Sequence, residues 1–395
     1  MAEPVKIILK SGKDQSLRRF HPWVFSGAIK KIHGPAREGA LVDVFDNKDE
    51  FLARGHFQEG SIAVRVLSFR REELNRDFWD RRVGQAWKLR KELGLAGSEH
   101  TGIFRWINSE GDHLPGLIVD YYGGAAVVQL HSVGMFRNLQ AIADSLVRAA
   151  EGKLHTIYHK SEGTLPDRPG ISNRSGFLKG SVSGAEVLEN RYRFTVDWVE
   201  GQKTGFYIDQ RENRELLGRW SAGKKVLNMF GYTGGFSVYA MGGGASLVHT
   251  VDSSRRAVEL SGRNMEINFP GDQRHEAFAA DAFRFFRESG LSYDQIILDP
   301  PAFAKHQHVL SNALQGYKRI NQRALEQIAP DGILFTFSCS QAVSRENFKK
   351  SVFAAAANAG RRVRILYQLS QPPDHPISIF HPEGEYLKGL VLHVE

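Results

Sequence analysis

The chain has 395 residues, enough for two or three domains that each bury a core. Its 42% hydrophobic and 24% charged residues make an ordinary globular mix and exclude a disordered or fibrous chain. The formal net charge is +8, and residues 1–100 hold 19 Lys/Arg against 14 Asp/Glu, a balance that favours a polyanionic partner.

The opening MAEPVKIILKSGKDQ lacks the apolar core of a signal peptide, and no apolar run is long enough to span a bilayer. No membrane partner is expected. Cys339 is the single cysteine, so no intrachain disulfide can form and a cytoplasmic location is expected.

In chain order, VKIILK reads as a short strand. A basic segment over 17–34 follows, with Phe20, Trp23 and Phe25 inside it. LVDVFDNKDEFLARGHF and SIAVRVLSF then run apolar or alternate between turn residues, as strands do. Arg18, Arg19, Lys30 and Lys31 are candidate RNA contacts. Trp23 is either a base-stacking residue or a core aromatic.

Residues 71–94 change to helical spacing, with Phe78, Val83, Ala86, Trp87 and Leu89 recurring between charges. A hairpin is expected over 101–130, a helix over 135–151, and strands and loops over 155–196. From residue 196 strands and helices alternate, which implies a mostly parallel sheet covered on both faces, with an antiparallel edge strand closing it. The predicted division is 1–72, a small β unit; 73–195, a middle α+β domain with a β-hairpin; and 196–395, an α/β domain.

The strongest local signal is VLNMFGYTGGF at 226–236. An apolar strand runs into Gly231, Tyr232, Thr233, Gly234 and Gly235 before a helix. Glycines let a backbone turn tightly and approach a ligand, and ligands of open α/β sheets bind beyond the carboxyl ends of the strands. By itself the turn is equally a strand–helix connection with no ligand. Asp252 ends the next strand, where an acid can bind ribose hydroxyls, and Asp281 follows the third, within reach of an adenine amine. Three such features on successive strand ends point to an adenosyl ligand. The turn is not GxGxxG and no GxxxxGK[ST] loop is present, which disfavours nicotinamide and ATP hydrolysis. Gly201–Arg211, with Lys203, Phe206 and Gln210, reads as a lid over the ligand or as a charged surface turn.

Asp299-Pro300-Pro301-Ala302-Phe303 follows the apolar strand YDQIILD. Two prolines stiffen the turn and remove two donors, leaving Asp299 at the rim with Phe303 as a candidate stacking surface for a base. Cys339 ends the next strand, in FTFSCS. It is either a small buried hydrophobe or a nucleophile. The second reading suits cytosine, whose C5 is a poor nucleophile until a thiolate has added at C6.

With these motifs in hand, the sequence resembles the bacterial 23S ribosomal RNA cytosine-C5 methyltransferases that carry an N-terminal PUA domain. The resemblance rests on RRFHPWVFSGAI, EGALVDVFDNKDEFLARGHF, INSEGDHLPGLIVDYYG, KTGFYIDQRENR, VLNMFGYTGGFSV, VDSSRRAVELSGRN, LDPPAF, FTFSCS and DHPISIFHPEGEYLKGL. It implies a class I methyltransferase fold with a seven-stranded sheet and S-adenosylmethionine as cofactor. The stretch from Gly231 to Gly235 would then wrap the methionine part, Asp252 would bind ribose and Asp281 would meet adenine. Asn228, Phe230, Ser253, Ala282 and Asp299 complete the expected cofactor contacts. Lys203, Phe206 and Gln210 fall in the segment that closes over the cofactor. Cys339 would be the nucleophile, with Asp299, Pro300, Pro301 and Phe303 in the base pocket.

Two other functions compete: an N-methyltransferase acting on guanine in RNA, and an RNA-binding scaffold without activity. A metalloenzyme is disfavoured because the 15 histidines show no HExxH or ligand-like spacing. Large-subunit ribosomal RNA is the expected partner. The oligomeric state is open, with a homodimer among the options.

Overall fold

A computed structural model describes residues 3–165, 171, 173–303 and 310–395 of the chain. It divides into two compact units: Met1–Leu188 with Val196–Ile208 and Pro373–Gly384, and Glu189–Thr195 with Asp209–Pro372 and Glu385–Glu395. Among the described residues no helix is long and apolar enough to cross a membrane.

The first unit contains two sheets. One has six strands in the order Trp23–Phe25, Ile62–Ser68, Phe51–Phe57, Leu41–Phe45, Val5–Leu9 and Ile29–His33. Its strands bury Ile7, Leu9, Val24, Val42, Val44, Ala53, Val64 and Val66 in one core. Gly55 is required there, since a Cβ would lie 2.1 Å from the Arg65 carbonyl oxygen of the adjacent strand. The other sheet has five strands, in the order Gly176–Lys179, Thr156–His159, Ala125–Leu130, Leu117–Tyr122 and Ile103–Asn108.

The helix Arg76–Glu92 packs on this second sheet. Asn75 caps it by accepting from the Phe78 amide at 3.2 Å, and Phe78, Trp79, Val83, Ala86 and Trp87 form its buried stripe. Arg90 on the same stripe is also buried. It donates to both oxygens of Asp112 at 2.6 and 2.7 Å and to the carbonyls of Arg105 and Asp374 at 2.7 and 2.8 Å. A buried guanidinium is tolerable only when its donors are satisfied in this way. The Asp374 carboxylate in turn accepts from the Arg105 amide at 2.9 Å, anchoring the 373–384 loop.

The second unit is built on a seven-stranded sheet. Its order is His275–Ala279, Leu247–Asp252, Lys225–Met229, Tyr293–Leu298, Ile328–Ser338, Lys388–Val394 and Val363–Leu369. Lys388–Val394 is antiparallel to both its neighbours, and the first five strands run parallel. The antiparallel strand is therefore not the edge strand that the sequence suggests. It lies one place inside, and Val363–Leu369 takes the edge. Burial explains the order. Lys388–Val394 is covered along almost its whole length, as a run of apolar residues demands, whereas Val363–Leu369 is mostly exposed and carries Arg364 and Gln368.

Strand order reverses between Lys225–Met229 and Tyr293–Leu298. A crevice opens at the carboxyl ends of strands at such a reversal.

Candidate active site

The Lys225–Met229 strand ends in a strained turn. Phe230 and Tyr232 hold φ of 58° and 45°, and Gly234 holds 77° before the helix Gly235–Gly242 begins. Left-handed backbone at two bulky residues costs roughly 1 kcal/mol or more each and persists where packing imposes it. The two flanking glycines show that packing: a Cβ on Gly231 would lie 2.5 Å from Thr250 Cγ2, and one on Gly234 would lie 2.3 Å from Ser261 Oγ. Thr233 is buried, and its carbonyl accepts from Asn264 Nδ2 at 2.9 Å.

Asp252 stands beside this turn, half-buried. Its Oδ2 accepts from the Tyr232 amide at 3.0 Å and its Oδ1 from the Ser254 amide at 2.9 Å. The carboxylate is thus oriented before any ligand binds, with Ser253 exposed next to it. Asn228 is buried under Gly231. Its Nδ2 donates to Ser237 Oγ at 2.9 Å, in a chain that continues to Thr250 at 2.6 Å and His275 at 2.8 Å. Asp281 is exposed and caps the helix Ala282–Glu288, accepting from the Arg284 amide at 3.0 Å, while Ala282 is buried.

Among the described residues, Asn228 Oδ1 under the turn is a buried acceptor with no protein partner. An orphaned acceptor beside tightly packed glycines suits a ligand with a polar donor group. S-adenosylmethionine has one in its amino group. Asp252 would then offer its oxygens to the ribose. Replacing Asp252 with alanine removes a charge-assisted contact of about 1.5–3 kcal/mol, so cofactor affinity should fall about 10- to 100-fold by titration calorimetry.

The chemical groups sit on the neighbouring strand ends. Leu298 pairs with Thr336 in parallel register, so Asp299 and Cys339 follow adjacent strands at the same rim. Burial, reinforced by the charge of Asp209, pushes the Asp299 carboxyl up to about 7. Gln210 and Arg214 pull the other way and are outweighed. Asp209 is held by the Tyr386 hydroxyl, which donates to its Oδ2 at 2.8 Å. Pro300 is buried, Pro301 exposed, and Phe303 half-buried with its ring 4.7 Å from that of Tyr317.

Cys339 is half-buried. Tyr317 is fully buried and accepts from the Ser338 hydroxyl at 2.9 Å. Its phenol is pushed up to about 12, chiefly by burial, with the negative charges of Cys339 and Asp299 adding to the effect. Sulfur and carboxyl both lie within electrostatic reach of one hydroxyl.

Lys203 and Phe206 belong to the first unit, whereas Gln210 belongs to the second. Thr204, next to Lys203, donates its hydroxyl to Asp120 at 2.6 Å. Arg18 is engaged by Asp14, Asp46 and Glu50 at 2.6, 2.9 and 2.7 Å. Three carboxylates neutralise it and leave little charge for a phosphate. The Trp23 indole donates to Glu110 at 2.8 Å and its ring lies 4.3 Å from that of His381, so it is a packing residue more than a stacking platform. Arg19, Lys30 and Lys31 are exposed.

Sequence reasoning missed three features. Tyr317 and Lys388 are bonded to Ser338 and Ser340, the residues on either side of Cys339. A cleft of about 290 Å³ between the helices Ala282–Glu288 and Leu310–Gln327 is lined by Phe283, Arg287, Arg319, Gln322 and Arg323. The spacing of Arg319 and Arg323, four apart on one helix, was the available signal. Among the described residues no group of three or more His, Cys, Asp or Glu is arranged for a metal ion.

Comparison with known proteins bears on this geometry. The S-adenosylmethionine-dependent methyltransferase family matches residues 108–385, and a PUA-like domain matches residues 7–69. A "Ribosomal RNA large subunit methyltransferase I" from Alteromonas mediterranea is 40% identical, with 98% of each chain covered. One of the same description from Aliivibrio fischeri is 39% identical over 99% of each. A solved chain from Streptococcus mutans, described as a SAM-dependent methyltransferase, superposes with a TM-score of 0.84 at 24% identity over 98% of this chain and 100% of its own. A methyltransferase solved in complex with SAH gives 0.85 over the same shares, also at 24% identity. At that identity these two speak to the fold.

Proposed function

We propose, since the chain belongs to the S-adenosylmethionine-dependent methyltransferases and carries a PUA-like domain ahead of the catalytic unit, that it methylates C5 of a cytosine in large-subunit ribosomal RNA. The names of its relatives support the substrate. The observation that carries the chemistry is the lone thiol of Cys339 on the same rim as the Asp299 carboxyl, which burial pushes up to about 7.

Cytosine C5 does not attack a methyl donor unaided. Attack of the Cys339 thiolate on C6 forms a carbon–sulfur bond and moves the C5–C6 electron pair onto C5, in conjugation with N3. Asp299 in its protonated form gives a proton to N3 as that charge develops. The bound cofactor supplies an electrophilic methyl group. C5 takes the methyl group as that group's bond to the cofactor sulfur breaks, and then gives up its own proton to water. The electron pair returns to C5–C6, sulfur leaves as thiolate, and N3 returns its proton to Asp299. Phe303 and Pro301 border the slot in which the base is held.

The exposed Arg19, Lys30 and Lys31 and the arginine-lined cleft supply charge for the RNA backbone. The setting is the cytoplasm, where Cys339 stays reduced.

The test is incubation of the full chain with ribosomal RNA and isotopically labelled cofactor, followed by nucleoside mass spectrometry. Label in 5-methylcytidine is expected. Label in a methylguanosine would replace this reading with N-methylation, and RNA binding with no label in any nucleoside would make the protein a scaffold.

A further inference from the structure

Lys388 is buried, at 4% exposure. It opens the inserted antiparallel strand, directly opposite Ser338, the residue before Cys339. Its Nζ donates to the carbonyl of Ser340, the residue after Cys339, at 2.5 Å. Lys388 thus flanks the only thiol in the chain on both sides: its backbone lies opposite Ser338 and its ammonium is bonded to Ser340.

A buried ammonium with no nearby anion is strongly unfavourable. The charged groups around Lys388 are few. Arg345 repels it, and Glu385, itself held by Arg345 at 2.6 Å, attracts it less than Cys339 does. The Tyr317 hydroxyl stays neutral, its phenol being pushed up to about 12. No carboxylate forms an ion pair with Lys388 among the described residues. Cys339 remains as the group able to carry the missing negative charge.

We propose that the Lys388 ammonium is the built-in counter-ion of the Cys339 thiolate and holds the nucleophile ionised before RNA arrives. The inference rests on the thiol mechanism above and makes Lys388 a positioning residue. Ionisation of Cys339 releases one proton to solvent. Lys388 stays an ammonium, and no bond is made to it. The stabilisation is reciprocal: burial pulls the Lys388 ammonium down to about 8, and the charge of Cys339 is the largest influence pushing it back up.

The test reads the thiol and not the methyl transfer. The rate of Cys339 alkylation by iodoacetamide is followed against pH in the full chain by intact-mass spectrometry. In the unmodified protein the midpoint should lie at least about one pH unit below the ordinary thiol value of about 8.5. Lys388→Met should raise the midpoint by about one unit or more, slowing alkylation near pH 7 about tenfold. Lys388→Arg, which keeps the charge, should stay within about threefold of the unmodified chain. Calorimetric binding of S-adenosylmethionine checks that the variants are folded.

An unchanged midpoint in Lys388→Met overturns the proposal. If that variant does not fold, the unmodified chain decides alone, and a midpoint at or above about 8.5 overturns it. The two ideas fail separately. Full methylation by a Cys339→Ala variant would remove the covalent mechanism and leave the ion pair standing.

Discussion

A Cys339→Ala variant should bind S-adenosylmethionine as tightly as the unmodified chain and form 5-methylcytidine at least about 10⁴-fold more slowly. The reason is electronic. Without sulfur at C6 there is no electron-rich C5, and the remaining contacts only position the reactants. Cys339→Ser should be nearly as slow, because a hydroxyl in the same place is barely ionised near neutral pH. The companion measurement uses RNA carrying 5-fluorocytosine. Fluorine leaves no C5 proton to lose, so the chain should accumulate as a covalent RNA complex resistant to denaturation. Alanine activity within about tenfold of the unmodified chain would mean that the sulfur packs and does not react.

Asp299→Asn should slow methylation about 10²- to 10³-fold, since an amide cannot deliver a proton to N3. The same change should make the ligand-free protein more stable at pH 8, and the sign follows from linkage. Folding raises the carboxyl to about 7, well above the ordinary value near 3.9. At low pH both states are neutral and Asp299 has no effect. As pH rises between those values the unfolded chain ionises while the folded one resists, so stability is lost. Above about 7 the whole loss is present, at most about 4 kcal/mol and less because solvent reaches the rim. Thermal unfolding should therefore rise by about 5 °C in the variant at pH 8, with the gain shrinking towards pH 4. An equal shift at both ends of that range would mean that the carboxyl is not held protonated by its surroundings.

Both substitutions act on one rim, and they separate its two tasks. In the proposed mechanism Cys339 governs whether C5 is activated at all, and Asp299 governs how readily charge is accepted at N3. The cost of keeping Asp299 neutral is a local instability stored where the chemistry occurs.

How much of this was legible beforehand depends on the range of the forces involved. Alternation of strand and helix after residue 196, the glycine turn after Asn228, and the placing of Asp252, Asp299 and Cys339 at strand ends all follow from local patterns. Apolar period, turn residues and proline restrictions act within a few residues, and Leu247–Asp252, Tyr293–Leu298 and Ile328–Ser338 stand where those patterns place them. The resemblance added the seven-stranded sheet and the cofactor.

Tertiary structure alone decided the rest, because it brings together residues that no local pattern connects. Lys388 lies 49 positions from Cys339 and reaches its backbone only because the last strand inserts beside Ile328–Ser338. Arg18 looks like a free cation in sequence and is neutralised by Asp46 and Glu50 from a distant hairpin. The proton affinity of Asp299 depends on the burial of its turn and on Asp209, 90 residues earlier. Sequence by itself determined which chemical groups stand at the ends of which strands, through short-range sterics and hydrophobic spacing. Charge, protonation and counter-ion were set by the fold, because electrostatic energy depends on distance and dielectric in space and not along the chain.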